Sequence, residues 1–173
     1  MRAGLLAFFL LIAPPVAAQD MGALVMAARA QVGVTVLYDG AYVALEYPGG
    51  DLPADRGVCT DVIIRAFRAA WALDLQRVVH QDMQRAFAEY PALWELTAPD
   101  ANIDHRRVPN LQTLMRRAGA ALEISVNPSD YLPGDLVSWR LPGNLPHIGI
   151  VSDRMNADGN RPLILHNIGG GAQ

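Results

Sequence analysis

The chain's single cysteine lies in the segment Gly57-Val58-Cys59-Thr60-Asp61-Val62-Ile63-Ile64. Apolar side chains follow Cys59 at the spacing of one helical face: Val62, Ile63, Ala66, Phe67, Ala70 and Trp71. This pattern predicts a helix that begins at Cys59. Unpaired amides and the positive end of the helix dipole stabilise a thiolate in such a first turn. Cys59 is therefore a candidate nucleophile; the alternative is a buried, inert thiol, since free cysteines are among the most buried residues.

Two histidines in the C-terminal half extend this chemistry. His147 and His166 lie in separate segments that have the apolar content of strands. A thiol, an imidazole and a third polar group are the parts of an activated nucleophile. Adjacent antiparallel strands can bring two such residues together, so we expect Cys59, His147 and His166 to form one site.

The N-terminus has the pattern of an export signal. Arg2 precedes an unbroken apolar run over 5–13, and Val16-Ala17-Ala18 supplies small residues for cleavage. We expect a signal peptide over residues 1–18 and a single domain over 19–173 that functions in the periplasm or outside the cell. The apolar run is too short to span a membrane, and no later segment is long enough.

Charge and periodicity bound the rest of the chain. The net charge is −3 without a basic run, so we expect no nucleic-acid partner. Helices are predicted over 21–31, 59–73, 75–90 and 109–119, and strands over 42–47, 121–126, 135–141, 147–153 and 163–168. Helices first and strands later indicate an α+β fold. Asp135 is expected to pin the turn after Pro133-Gly134, and Trp139 to pack in the core or form a cleft wall.

Three pieces of sequence carry a family resemblance. The Cys59 helix is followed by Leu132-Pro133-Gly134-Asp135, then by His147-Ile148-Gly149-Ile150-Val151, then by Leu163-Ile164-Leu165-His166-Asn167. In this order they resemble the NlpC-type cell-wall peptidases of the papain-like superfamily, over roughly residues 53–168. A closer resemblance is to an uncharacterised bacterial family of exported proteins. That family shares Gly-Val-Cys-Thr-Asp, Asn-Ile-Asp-His-Arg-Arg-Val and Leu-His-Asn-Ile-Gly.

The resemblance implies a papain-like, NlpC-like fold, in which a helical half carrying Cys59 packs on an antiparallel sheet carrying His147 and His166. It makes Cys59 the nucleophile, His147 the general base and His166 the residue that orients the imidazole. The implied activity is that of a cysteine hydrolase cleaving an amide bond in peptidoglycan peptide or another small peptide, without a cofactor and as a monomer. Relatives continue into one more strand, so we expect either an incomplete sheet edge or a missing C-terminal strand.

The chain departs from the resemblance beside the cysteine. Val58 stands where the peptidases often have an aspartate that holds the free amine of the stem peptide. Asp61 either takes over this binding charge or is a first-turn acid favoured by the helix dipole. Two other functions therefore stay open: an acyltransferase on the same fold, and an exported peptide- or glycan-binding module without turnover.

A polar segment precedes the last predicted helix. Asp104, His105 and Arg106 lie in Asn-Ile-Asp-His-Arg-Arg-Val. They are candidate substrate-binding residues that line the cleft, where His105 or Arg106 meets an acidic group. The alternative is a solvated loop pinned by salt bridges.

A zinc site is the other interpretation of Cys59, His147 and His166, because zinc accepts one cysteine and two histidines. The closely spaced ligand pairs of typical zinc motifs are missing from the sequence. We therefore expect no metal.

Overall fold

The computed structural model describes residues 20–173. Within them the chain is a mixed α+β protein, as the order of sequence patterns predicts. The helices are α1 (Met21–Arg29), α2 (Cys59–Trp71), α3 (Leu75–Ala86) and α4 (Val108–Arg117). The strands are β1 (Leu37–Tyr38), β2 (Arg56–Gly57), β3 (Leu136–Leu141), β4 (Leu145–Met155) and β5 (Pro162–Leu165). The predicted signal peptide lies outside the described residues.

Helix α2 is the centre of the hydrophobic core. Its first two turns are almost wholly buried, and Ile63 and Ala66 have no exposed surface. Helix α1 and strand β4 pack against it, and the core cluster joins Leu24 and Val25 of α1 to Ile148 and Ile150 of β4. The cysteine at the start of α2 is thereby fixed against the sheet.

The main sheet is antiparallel with strand order β3-β4-β5. Trp139 pairs with His147, and Ile150 pairs with Leu165. Because side chains alternate along a strand, Ile148 and Ile150 share the face packed on the helices, while His147 points to the other face. The pairing of Ile150 with Leu165 puts His166 opposite Gly149 on that second face. A Cβ added at Gly149 would lie 3.1 Å from the His166 Cβ.

A two-residue parallel ladder joins β1 to β2, with Leu37 opposite Arg56 and Tyr38 opposite Gly57. Sequence periodicity does not predict this ladder, because two residues carry no period. It places Tyr38 beside the turn that leads into α2.

Two predicted strands are wrong. The 42–47 segment has no ladder; the Leu45 amide donates to Asn102 and the Glu46 carbonyl accepts from Gln76. Residues 121–126 alternate apolar and polar types, yet Ile124 and Val126 are fully exposed and no strand pairs with them. An extended segment becomes a strand only when a neighbour satisfies its backbone groups.

Other expectations agree with the structure to within a few residues. α3 is shorter than predicted and ends in a 3-10 turn, Phe87–Glu89. Asp135 pins its turn, because its carboxylate accepts from the Leu132 amide at 2.7 Å. No helix within residues 20–173 has the length and apolar character needed to cross a membrane.

Candidate active site

The turn before Cys59 is held by the helix that it starts. Val58 is extended and Cys59 is the first residue of α2. The Val58 amide donates to the Asp61 carboxylate at 2.6 Å, and the Asp61 amide donates to the Val58 carbonyl at 3.1 Å. A carboxylate at the third helical position satisfies an amide that the helix itself leaves unpaired. Two hydrogen bonds with Asp61 therefore hold the segment Gly57–Cys59, which we call the nucleophile turn after the predicted role of Cys59.

The Cys59 thiol lies deep in the protein. The residue is only 4% exposed, and burial raises its pKa above the ordinary value. The amides of Ile148 and Thr60 favour the thiolate and the Asp61 charge opposes it, but burial is the largest effect. The helix-start position thus does not produce the low-pKa thiolate expected from the sequence, because desolvation outweighs the amides.

The two histidines are in direct contact. Nε2 of His147 lies 3.0 Å from Nδ1 of His166. The Trp139 ring stands edge-on to both imidazoles, with centroid distances of 4.6 Å to His147 and 5.5 Å to His166. Trp139 therefore packs against the histidine pair and is itself half-buried; its role as a cleft wall stays a prediction.

Burial also dominates the titration of the pair. The pKa of His147 is lowered to about 4, first by burial and then by the charge of His166. Burial lowers the pKa of His166 as well. Near neutral pH both imidazoles and the Cys59 thiol are therefore uncharged.

Cys59 meets strand β4 at the Ile148 amide, the peptide group that follows His147. Ile150 pairs with Leu165, the last residue of β5, on one side of β4. Backbone amides two residues apart on a strand point to the same side. The Ile148 amide therefore points to the β5 side of the sheet, beyond the end of β5. The thiol occupies the edge of the sheet at that point. His147 and His166 lie on the adjoining sheet face, and the peptide between His147 and Ile148 links the two groups.

Tyr38 is a member of this neighbourhood that sequence reasoning missed. Tyr38 is half-exposed; its partial burial raises the pKa of the phenol, and Asp61 and the ionised form of Cys59 raise it further. No local signal marks Tyr38, because its position depends on the short parallel ladder with Gly57. Asn167 was also missed as a contact residue: it is completely buried and donates to the Gly57 carbonyl at 3.0 Å. Its place directly after His166 in a recognised motif was the available signal.

The four predicted substrate-binding residues are buried. Three of them are paired within the chain, whereas Nδ1 of His105 has no hydrogen-bond partner within residues 20–173. Asp61 and Arg106 form an ion pair, and Asp104 accepts from the Asp100 amide and from Arg107. His105 is 2% exposed, and burial lowers its pKa to about 4. Their substrate-binding role stays a prediction. Their contacts agree with a segment pinned by salt bridges, although this segment is buried rather than solvated.

A groove of about 520 Å³ opens on the sheet face that carries the histidines. Val137 and Ile164 in its wall lie two residues from Trp139 and His166, respectively, but neither histidine nor Cys59 lines the groove. Its lining residues are Val126, Pro128, Tyr131, Val137, Arg161, Pro162 and Ile164. Within residues 20–173, no group of three His, Cys, Asp or Glu side chains is arranged to hold a metal ion.

Comparison with known proteins places the chain in a family. Over 146 residues it is 59% identical to "Uncharacterized protein YijF" of Escherichia coli (strain K12), a match that covers 84% of this chain and 70% of the relative. The expected membership of an uncharacterised bacterial family agrees with this relative, and the NlpC resemblance stays a prediction. No solved structure matches the chain. The family described as "Domain of unknown function (DUF1287)" matches residues 25–173, and the chain belongs to that family.

Proposed function

We propose that this chain is an exported cysteine hydrolase that cleaves an amide bond in peptidoglycan peptide, on a papain-like fold of the NlpC type. The observation that carries the proposal is the 3.0 Å contact between His147 and His166, one residue from the amide that faces Cys59. A thiol at a helix start, an imidazole and a polar partner for that imidazole are the parts of thiol-dependent acyl transfer. The proposal requires the Cys59 sulfur to reach His147 around the edge of β4 during the reaction. The apolar run over 5–13 supports export.

The proposed mechanism requires one tautomer of the histidine pair. When His147 donates from Nε2 to Nδ1 of His166, its own Nδ1 carries a lone pair and is the basic atom. His166 then holds its proton on Nε2. This leaves Nδ1 of His147 to accept the Cys59 proton, and His166 supports the imidazolium that results.

Amide cleavage follows in two halves. The sulfur of Cys59 attacks the carbonyl carbon while its proton passes to Nδ1 of His147, which gives a tetrahedral oxyanion. Collapse breaks the C–N bond, and the departing amine takes the proton from His147, leaving a thioester. Water then attacks the thioester with His147 as base, and the acid leaves as Cys59 regains its proton. Since thiol and imidazole are both neutral in the free site, proton transfer accompanies the attack.

The Cys59 amide is the proposed donor to the oxyanion. Cys59 is the first residue of α2, and the first amides of a helix have no partner within the helix. The Val58 amide is committed to Asp61. A fixed donor next to the nucleophile stabilises the charge that develops in the transition state.

A peptide-binding module without turnover is the second candidate function. The observation in its favour is the burial of Cys59, together with the raised pKa that follows from it. An inert buried thiol would have these properties. The two functions differ in whether a peptide bond is broken.

The test is incubation of the mature protein with purified peptidoglycan fragments, followed by mass spectrometry. The hydrolase predicts pairs of new fragments whose masses sum to that of the parent plus one water, and no such pairs from the Cys59→Ser protein. Retention of intact fragments by both proteins, without cleavage, would replace the hydrolase with the binding module.

A further inference from the structure

A buried ion pair lies directly behind the nucleophile turn. Asp61 and Arg106 have side-chain exposures of 3% and 2%. The guanidinium binds both carboxylate oxygens, with Nε to Oδ1 at 3.0 Å and Nη2 to Oδ2 at 3.1 Å. This bidentate geometry is the strong form of the interaction, and it fixes orientation as well as distance.

Each partner also binds backbone next to the site. Asp61 accepts the Val58 amide, one residue before Cys59. Arg106 donates to the carbonyl groups of Asp39 at 2.9 Å and Ala41 at 3.1 Å, in the segment that follows Tyr38. The Thr60 hydroxyl donates to the Arg106 carbonyl at 3.0 Å. The pair therefore ties the nucleophile turn, the first turn of α2 and the Tyr38 segment into one unit.

Fold stability alone does not account for such a pair. A buried ion pair costs much desolvation energy, and apolar residues of similar volume often stabilise a protein as well or better. The charges also lie close to a group that changes its protonation state during the proposed reaction. Two titratable groups interact with Cys59: Tyr38 on β1 and Asp61 on α2. Arg106, in the turn before α4, binds Asp61, and His147 lies one residue before the Ile148 amide on β4.

We infer that Asp61 and Arg106 are positioning residues for Cys59, which hold its amide and thiol toward the acyl carbon and balance each other's charge beside the sulfur. This inference rests on the proposed function. It gives both residues a role different from direct contact with substrate. The Asp61 carboxylate holds the nucleophile turn. The Arg106 guanidinium holds that carboxylate and the carbonyl groups of Asp39 and Ala41.

The test measures the rate of Cys59 alkylation by iodoacetamide from pH 6 to pH 10. Asp61→Asn leaves a positive charge near the thiol, so the apparent pKa of Cys59 should fall by about 1 unit. Arg106→Gln leaves a negative charge, so this pKa should rise by a similar amount. A purely structural pair would loosen the turn equally in both variants and shift the two profiles in the same direction.

The matched control is Arg107→Gln. Arg107 is the neighbouring arginine and pairs with Asp104 at 3.1 Å, while its guanidinium stacks on Trp94 at 4.0 Å. Its loss should leave the alkylation profile of Cys59 within about 0.3 units of the wild type. Shifts of equal sign in Asp61→Asn and Arg106→Gln, or an equal shift in Arg107→Gln, would overturn the inference.

If Asp61→Asn and Arg106→Gln fail to fold, a variant that conserves the charge provides a second test. Arg106→Lys retains the charge, so the pKa of Cys59 should stay unchanged. The bidentate contact with Asp61 is lost, however, because lysine cannot form it. Peptide cleavage should then fall at least 10-fold, and full cleavage by Arg106→Lys would contradict positioning. If the wild type cleaves no peptide, the proposed function fails, while the opposite alkylation shifts still decide the charge balance.

Discussion

Nε2 of His147 lies 3.0 Å from Nδ1 of His166, although the two residues belong to different strands of the sheet. The contact depends on the strand register, which places His166 beside Gly149 on the face that carries His147. Since neither imidazole is charged near neutral pH, one ring donates and the other accepts. In the proposed reaction His147 donates, and this direction leaves its other nitrogen free to take a proton.

The role of His166 can be tested by changing its acceptor. His166→Asn supplies an amide oxygen that can accept from Nε2 of His147, whereas His166→Ala supplies none. We expect the alanine variant to lose less than the roughly 10²–10⁴-fold that loss of a general base costs, and the asparagine variant to recover part of that loss. Initial rates of peptidoglycan-fragment cleavage check this. Equal rates for both variants would show that the acceptor is irrelevant.

Cys59 and His147 should behave as a single unit. Cys59→Ala and His147→Ala are each expected to abolish turnover, and the double variant should cost little more, because residues that act together are non-additive. The measurement is cleavage by all three proteins, with folding checked by circular dichroism. Full cleavage by a folded Cys59→Ala protein would remove the thiol from the mechanism.

Buried histidines predict how stability changes with pH. The pKa values of His105 and His147 are lowered to about 4 from an ordinary 6.5, mainly by burial. The unfolded chain therefore takes up protons below about pH 6.5 that the folded chain refuses until about pH 4. These residues stabilise the fold above pH 6.5, and this contribution is lost as the pH falls toward 4.

Urea denaturation at several pH values measures this effect. His105→Asn removes one of the two groups and should flatten the decline in the free energy of unfolding between pH 6.5 and 4. Burial raises the pKa of Asp104, so this residue makes the fold more stable as the pH falls, opposite to the histidines. Because Asp104 is present in both proteins, the test compares the pH dependence of the variant with that of the wild type. An identical pH dependence in both proteins would contradict the assignment.

The buried ion pair predicts a large stability difference between two aspartate variants. Asp61→Ala leaves Arg106 buried without its charge partner, which should cost about 3–5 kcal/mol of unfolding free energy. Asp55→Ala breaks an exposed pair with Arg56, and its effect on stability should be far smaller because solvent screens exposed pairs. Urea denaturation at pH 7.5 compares the two. Similar losses would mean that the Asp61 pair is solvated in solution.

Much of the fold could be predicted from local pattern. Helix α2 was predictable because its apolar residues repeat with helical period from Cys59 onward, and β3 to β5 because each carries an apolar run bounded by turn residues. The segments over 42–47 and 121–126 look like strands for the same reason. Whether such a segment pairs depends on a neighbour elsewhere in the chain, and the local sequence does not contain that information.

The candidate site was predictable in its residues and less so in its electrostatics. The contact between His147 and His166 follows from strand alternation and pairing. The raised pKa of Cys59 does not follow from its helix-start position, since it results from burial by β4 and the core. The partnership of Asp61 with Arg106 was also beyond local pattern, because it depends on a contact between distant parts of the chain.

The central claim is that Cys59 forms a thioester with a peptide substrate. The most direct measurement is intact-protein mass spectrometry of samples quenched in acid within seconds of mixing with peptidoglycan fragments, followed by mapping of the modified peptide. The proposed mechanism predicts an added mass equal to the acyl part of a fragment, carried by the peptide that contains Cys59 and released by hydroxylamine. Cleaved fragments without any adduct on Cys59, together with equal cleavage by the folded Cys59→Ala protein, would contradict it.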